Sequence, residues 1–187
     1  MRKVVFGINV SSDGFYGHTG MVVDEDLHQY FTDFLKQSDQ ILYGRITYDL
    51  MVPFWPDVAK NKSMSNVSNE FADVFTSLQK ILFSHSVKQV SDPNTTIATR
   101  SLEEEVKYLK KQVGKDISVG SLSIASQLSS LGLIDEYRFV IHPVIVGKGP
   151  RLFSDHPLET PVRLDLIEIK TFSSGNIAHH YKTRREK

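Results

Sequence analysis

The chain has 187 residues, 22 Lys+Arg against 22 Asp+Glu, no cysteine and 40% hydrophobic residues. That length fits one domain over residues 1–187 and buries a core without disulfide or metal staples. The missing thiols exclude a disulfide framework, a thiolate zinc site, an iron–sulfur cluster and a cysteine nucleophile, and the zero net charge argues against a dedicated nucleic-acid binder.

Met1-Arg2-Lys3 and the apolar run behind it are too short for a signal peptide and contain Asn9. Lys3 to Val10 therefore reads as a first strand, ending in the turn Ser11-Ser12-Asp13-Gly14. No apolar run approaches the roughly 20 residues of a membrane span, so a cytoplasmic protein is expected. Asp24 to Gln37 sets Leu27, Tyr30, Phe31, Phe34 and Leu35 at helical spacing, with Asp24, Glu25 and Asp26 in the first turn. Gln40 to Tyr43 is a short strand stopped by Gly44, and Arg45 to Met51 a short helix. Pro53-Phe54-Trp55-Pro56 and the polar stretch to Asn66 read as a loop, followed by a helix over Asn69 to Leu78 and strands over Lys80 to Ser84 and Thr95 to Ala98.

Ser101 and Glu104 have the spacing of a capping box for a helix with the stripe Leu102, Val106, Leu109 and Val113. Asp116 to Val119 is a strand broken at Gly120, and Ser121 to Leu131 a helix turning Leu122, Ala125, Leu128 and Leu131 inward. This alternation implies a mainly parallel sheet with helices on both faces. The last third differs: a long strand over Glu136 to Val146 leads into Gly147-Lys148-Gly149-Pro150, then a hairpin pairs Val162 to Thr171 with Ile177 to Arg184 around Ser173-Ser174-Gly175-Asn176. Val162, Leu164 and Leu166 alternate inward but Ile167 and Ile169 switch parity, which predicts a bulge near Leu166. The fold class is α/β, with a mainly parallel central sheet and an antiparallel C-terminal hairpin.

In such a sheet the ligand crevice lies beyond the carboxyl ends of the strands, where helix N-termini hold phosphate. Three junctions qualify. At the first, Gly44 permits close approach, Arg45 brings a planar cationic fork and Thr47 a hydroxyl; at the second, Ser84 and His85 follow a strand; at the third, Gly120, Ser121 and Leu122 open a helix. Taken singly, each is also explained by strand ends, helix caps and surface charge. His179-His180 on a strand point to opposite faces and make a poor chelating pair, so no metal site is expected. Gly147-Lys148-Gly149 lacks the third glycine and following helix of a dinucleotide fingerprint, and Trp55 beside Phe54 reads first as a packed loop residue.

Asn9 to Gly14, Leu42-Tyr43-Gly44-Arg45-Ile46-Thr47-Tyr48, Lys80 to Ser84, Ile117 to Ser121, Leu133 to Tyr137 and His142-Pro143-Val144-Ile145-Val146-Gly147-Lys148-Gly149 together resemble the dihydrofolate reductase-like superfamily. They are most similar to its branch containing the reductase domain of bacterial riboflavin biosynthesis. The resemblance implies a three-layer domain that binds NADPH, acts on a small-molecule substrate and forms a homodimer. Gly44, Arg45 and Thr47 would face the cofactor phosphates, Ser84 and His85 the adenosine 2′-phosphate, and Gly120, Ser121 and Leu122 the pyrophosphate. The family commonly carries Gly-Gly where this chain has Gly120-Ser121. Asp13 matches an acid near the reacting pyrimidine and ribose, and a plain Asp-Gly turn is the other reading of the same residues. Counting back from Gly44 without gaps puts His28 near the helix acid of folate reductases, with Asp24 and Asp26 about one turn or less away. The implied activity is NADPH-dependent reduction of a small heterocyclic or sugar-derived substrate, with 5-amino-6-(5-phosphoribosylamino)uracil the best named one. The alternatives are a divergent dihydrofolate or pterin reductase and a non-catalytic NADP(H)-binding or interaction protein.

Overall fold

Helix and strand alternate because apolar residues recur at helical spacing between short β-branched runs. The computed structural model describes residues 1–17, 20–154 and 157–185. In chain order its elements are β1 (Val4–Ser11), α1 (Glu25–Lys36), β2 (Ser38–Gly44), α2 (Arg45–Met51), α3 (Trp55–Asn61), α4 (Asn66–Ser77), β3 (Gln79–Phe83), β4 (Thr95–Ile97), α5 (Leu102–Lys110), β5 (Asp116–Val119), α6 (Leu122–Ser130), β6 (Glu136–His142), β7 (Leu164–Thr171) and β8 (Ile177–Thr183). They build one eight-stranded sheet in the order β4-β3-β2-β5-β1-β6-β8-β7. The strands from β4 to β6 are parallel, and β8 and β7 close the sheet antiparallel.

Strand alternation sends side chains to two faces, and helices cover both. On one face Val106 and Leu109 of α5 and Ile124, Ala125 and Leu128 of α6 pack on Val4, Phe6, Leu42 and Val119. On the other, Phe34 and Leu35 of α1 join Tyr48 of α2 and Phe71 and Phe75 of α4 over Val5, Ile41, Tyr43 and Leu82. Asp24 caps α1 by accepting from Leu27 N–H at 2.8 Å, and Ser101 and Glu104 form the expected capping box on α5.

Several boundaries depart from the sequence reading. The stretch expected as a loop before Asn66 contains α3, opened by Pro56 in its first turn, and α4 begins at Asn66, three residues before the expected start. β6 stops at His142, because Pro143 has no N–H to continue a ladder. Val113 lies beyond α5 and is fully exposed, and Leu131 is exposed at the C-cap of α6 while Ile124 takes an inward place. The bulge falls between Leu166 and Glu168, as expected. Val162 and Leu164 pack partly buried against the core as expected, but Leu166, Ile167 and Ile169 are 53%, 47% and 53% exposed on an edge strand.

Candidate active site

Because β4, β3, β2, β5, β1 and β6 run parallel, their carboxyl ends lie on one edge of the sheet and bring Gly44, Gly120, Ser11 and His142 together. β2 and β5 are neighbours, and their exits are tied twice. Gly120 N–H donates to Leu42 O at 2.9 Å, and Gly44 N–H donates to Ser121 Oγ at 2.9 Å in a buried contact. Ser121 therefore does not cap its own helix; its hydroxyl accepts the Gly44 N–H and joins the two junctions. Gly120 is demanded by packing, since a Cβ there would come 2.3 Å from the Tyr43 ring.

The helix starts differ in a telling way. α1, α4 and α5 are capped by the side chains of Asp24, Ser65 and Ser101. α2 and α6, which start at the tied junctions, have no side-chain cap and no acid in the first turn. Their leading N–H groups have no partner within the helix and present positive charge at the edge. Arg45 stands beside them, exposed and paired with Asp49 at 3.2 Å, and Thr47 is half-buried one turn in. An exposed i,i+4 pair of this kind is weak, so the guanidinium is free to exchange its partner for a ligand anion.

Further along the edge, Ser84 Oγ accepts from Val87 N–H at 3.1 Å and Ser86 N–H at 3.3 Å, which closes the turn after β3. His85 is exposed on that turn, and its carbonyl accepts from Lys88 Nζ at 2.9 Å. After β4, Arg100 pairs with Glu105 at 2.9 Å and stacks over the Tyr108 ring at 4.3 Å.

The family described as the RibD C-terminal domain matches residues 2–178 of this chain. The chain belongs to the RibD C-terminal domain family. It is 36% identical over 188 residues to the uncharacterized protein YyaP of Bacillus subtilis, covering 96% of this chain and 95% of YyaP. Among solved structures it is similar to a putative riboflavin biosynthesis protein from Shewanella sp. PV-4, with a TM-score of 0.75, 17% identity and coverage of 99% and 100% of the two chains. The diaminohydroxyphosphoribosylaminopyrimidine deaminase/5-amino-6-(5-phosphoribosylamino)uracil reductase of Thermotoga maritima aligns with a TM-score of 0.66 at 16% identity, over 98% of this chain and 57% of that one. These two likenesses establish a common fold.

On the other half of the edge, this RibD C-terminal domain joins the segment after β1 to the segment after β6. Asp13 accepts from Ser11 Oγ at 2.7 Å and from the N–H groups of Val146 and Gly147 at 3.1 and 2.8 Å. The Ser11 bond first, with the two backbone donors behind it, lowers the Asp13 carboxyl to about 2. Asp13 is thus held as a carboxylate that staples two loops. Gly147 and Gly149 have φ of 76° and 129°, so the Gly147-Lys148-Gly149 turn uses its glycines for left-handed backbone.

His28 is packed between α1 and α4: Nδ1 lies 3.0 Å from Ser68 Oγ, and the ring stacks on Phe71 and meets the edge of Trp55. Burial lowers its pKa against the pull of Asp24 and Glu25, which keeps it neutral at pH 7. Trp55 itself opens α3 and packs on Phe54 and Phe71. His179 and His180 bond separately, to Tyr181 Oη and to Glu136, and no cluster among the described residues is placed to hold a metal. No helix among them is long and apolar enough to cross a membrane.

Sequence reasoning missed Arg100, Lys88 and the pair formed by Asn9 and His142 at the ends of β1 and β6. Arg100 and Lys88 are polar residues just past strand ends, a signal of the same kind that picked out Arg45 and His85. His142 was hidden by the expectation that its strand continued to Val146.

Proposed function

We propose that this protein is an NADPH-dependent reductase of a small heterocyclic or sugar-derived substrate, most similar in activity to 5-amino-6-(5-phosphoribosylamino)uracil reduction. The observation that carries the reading is the tied pair of uncapped, acid-free helix starts at Gly44 and Gly120, with Arg45 exposed beside them. That donor set suits a dinucleotide. The N–H groups of Leu122 and its neighbours in α6 fit the pyrophosphate, Arg45 and Thr47 fit the phosphates from the α2 side, and the Ser84–His85 turn with Lys88 adds donors for a 2′-phosphate. NADPH, when bound, supplies a hydride; the chain supplies orientation and a site for the substrate.

Asp13 is too acidic to donate a proton near neutral pH, so its part is to hold the segment after β1 against the turn at Val146 and Gly147. His28, neutral and bonded to Ser68, does not supply the acid that folate reduction draws on at that helix position, which favours the pyrimidine reading over the pterin one. The exposed edge of β7 supports a homodimer.

Fluorescence titration with NADPH, followed by oxidation assays against pyrimidine, pterin and carbonyl compounds, tests the proposal. Arg45→Ala is expected to weaken NADPH binding by about 1–3 kcal/mol, the scale of a lost charge-assisted contact. Absence of NADPH binding by the unmodified chain overturns the reading. Tight binding with no turnover on any compound favours the non-catalytic NADP(H)-binding alternative.

A further inference from the structure

Asn9 and His142 stand at the carboxyl ends of β1 and β6, in a parallel pair whose register runs Asn9 to Val140 and Ser11 to His142. Parity along β1 places Val5, Gly7 and Asn9 on the face covered by α1, where Val5 packs near Phe34 and a Cβ on Gly7 would meet the Phe34 ring at 2.8 Å. His142 is 1% exposed, and its Nε2 lies 3.1 Å from Asn9 Oδ1. An amide oxygen only accepts, so Nε2 carries the ring proton and Nδ1 is a bare acceptor. Nδ1 is buried and has no partner among the described residues. Ser12 Oγ fixes the same residue through its main chain, donating to His142 O at 2.8 Å.

Sheet pairing asks for none of these side-chain contacts. A buried imidazole with one orphaned nitrogen is unfavourable for stability, and such groups call for a reason. The arrangement has one clear consequence: with Oδ1 accepting the Nε2 proton, the hydrogen bond holds the amide of Asn9 in this orientation, and turning it over would require the other ring tautomer. Its Nδ2, with two N–H donors, is turned away from His142 and hydrogen-bonds to no described residue. Asn9 is half-buried on β1, between β6 and the strand β5 that ends at the Gly120 junction, and the Asp13 staple follows it at the exit of β1.

We propose that Asn9 is a substrate contact whose Nδ2 donates to a carbonyl oxygen, and that His142 is the positioning residue that sets the direction of that donor. This rests on the reductase reading above and adds the kind of group the site selects: a ring carbonyl, as in an oxopyrimidine. A site built around a fixed donor discriminates against ligands that lack the matching acceptor, because the donor is then left without a partner.

The test uses the full chain loaded with NADPH, with 5-aminouracil as a carbonyl-bearing probe and 2-aminopyrimidine as the probe without a carbonyl. Calorimetry is expected to give affinity for 5-aminouracil at least about tenfold above that for 2-aminopyrimidine, the discrimination expected of a dedicated hydrogen bond. Asn9→Ala and Asn9→Asp lose that preference and keep NADPH affinity within about twofold, since the Asn9 amide is not among the groups assigned to the phosphates. His142→Leu, which leaves the amide free to turn, falls to the level of Asn9→Ala, and His142→Gln, which retains an N–H donor, recovers the preference. Should His142→Leu fail to fold, the Asn9 side-chain amide resonance decides: it shifts when 5-aminouracil is added to the NADPH complex. Equal binding of 5-aminouracil by wild type and Asn9→Ala, an unmoved Asn9 resonance, or no 5-aminouracil binding by the NADPH complex overturns this inference alone. Failure of the wild type to bind NADPH overturns the reductase reading beneath it.

Discussion

Ser121 does more for this fold than its position at a helix start implies. Its hydroxyl is buried and accepts the Gly44 N–H, so the loop that opens α6 is fastened to the loop that opens α2. Ser121→Ala leaves that backbone N–H buried without an acceptor, and stability is expected to fall by about 1–3 kcal/mol. Urea unfolding would register this as a lower midpoint at unchanged slope, and an unshifted midpoint would mean that the bond contributes nothing. Ser121→Gly has the same loss and adds backbone freedom, so it is expected to be no more stable than Ser121→Ala. At this scale the sequence was legible where local pattern and position coincide, as in the capping box of Ser101 and Glu104, and opaque where a side chain serves another loop. Nothing local to Gly120-Ser121 says that its hydroxyl turns toward Gly44, and nothing local to Asn9 says that a histidine 133 positions later holds its amide.

Among the elements, β7 is the one whose surroundings leave most unexplained. It pairs with β8 along one side only, and its apolar side chains at Leu166, Ile167 and Ile169 are about half exposed. An open edge of this kind is a template for pairing with another chain. An isologous antiparallel pair with its two-fold axis at Ile169 sets Glu168 of each copy against Lys170 of the other, an opposite-charge pair across the strands. A dimer in solution is therefore expected, and Glu168→Lys, which sets like charges across the axis, is expected to convert it to monomer in light scattering. A monomeric wild type would rule this pairing out. Element boundaries were readable where caps and periodicity agree, as at Asp24 and Ser101. They failed at α3, because two prolines around Trp55 look like a loop when only one of them falls in the first helical turn. They failed again after His142, where apolar Val144 to Val146 extend the strand pattern past a proline that ends the ladder.

For the molecule as a whole, zero net charge conceals groups whose protonation is set by burial and pairing, and these fix how stability depends on pH. Burial lowers the pKa of His28 and of His142, in each case against the nearby Asp24 carboxylate. A histidine whose folded pKa lies below its unfolded value of 6.5 binds more protons when unfolded, so its contribution is present above 6.5 and is lost as pH falls through the folded value. Asp13, held at about 2 by Ser11, Gly147 and Val146, and Asp24, lowered by Ser174 and the Leu27 N–H, act in the same sense further down: their contribution is present above 3.8 and is lost as pH falls through their lowered folded values. On the alkaline side burial raises the phenols of Tyr30, Tyr43 and Tyr137, and those protons are held more tightly folded than unfolded, so stability declines once pH passes 10. Urea midpoints measured from pH 3 to pH 11 are thus expected to form a plateau between neutrality and about 9, with a shallow first descent below 6.5 and a steeper one below 4. His28→Gln and His142→Gln together should flatten the first descent and leave the second in place. A midpoint that stays level from pH 7.5 to pH 5 in the unmodified chain would show that these two imidazoles accept protons folded as readily as unfolded, and would remove the reason for treating them as neutral hydrogen-bonding groups in the site.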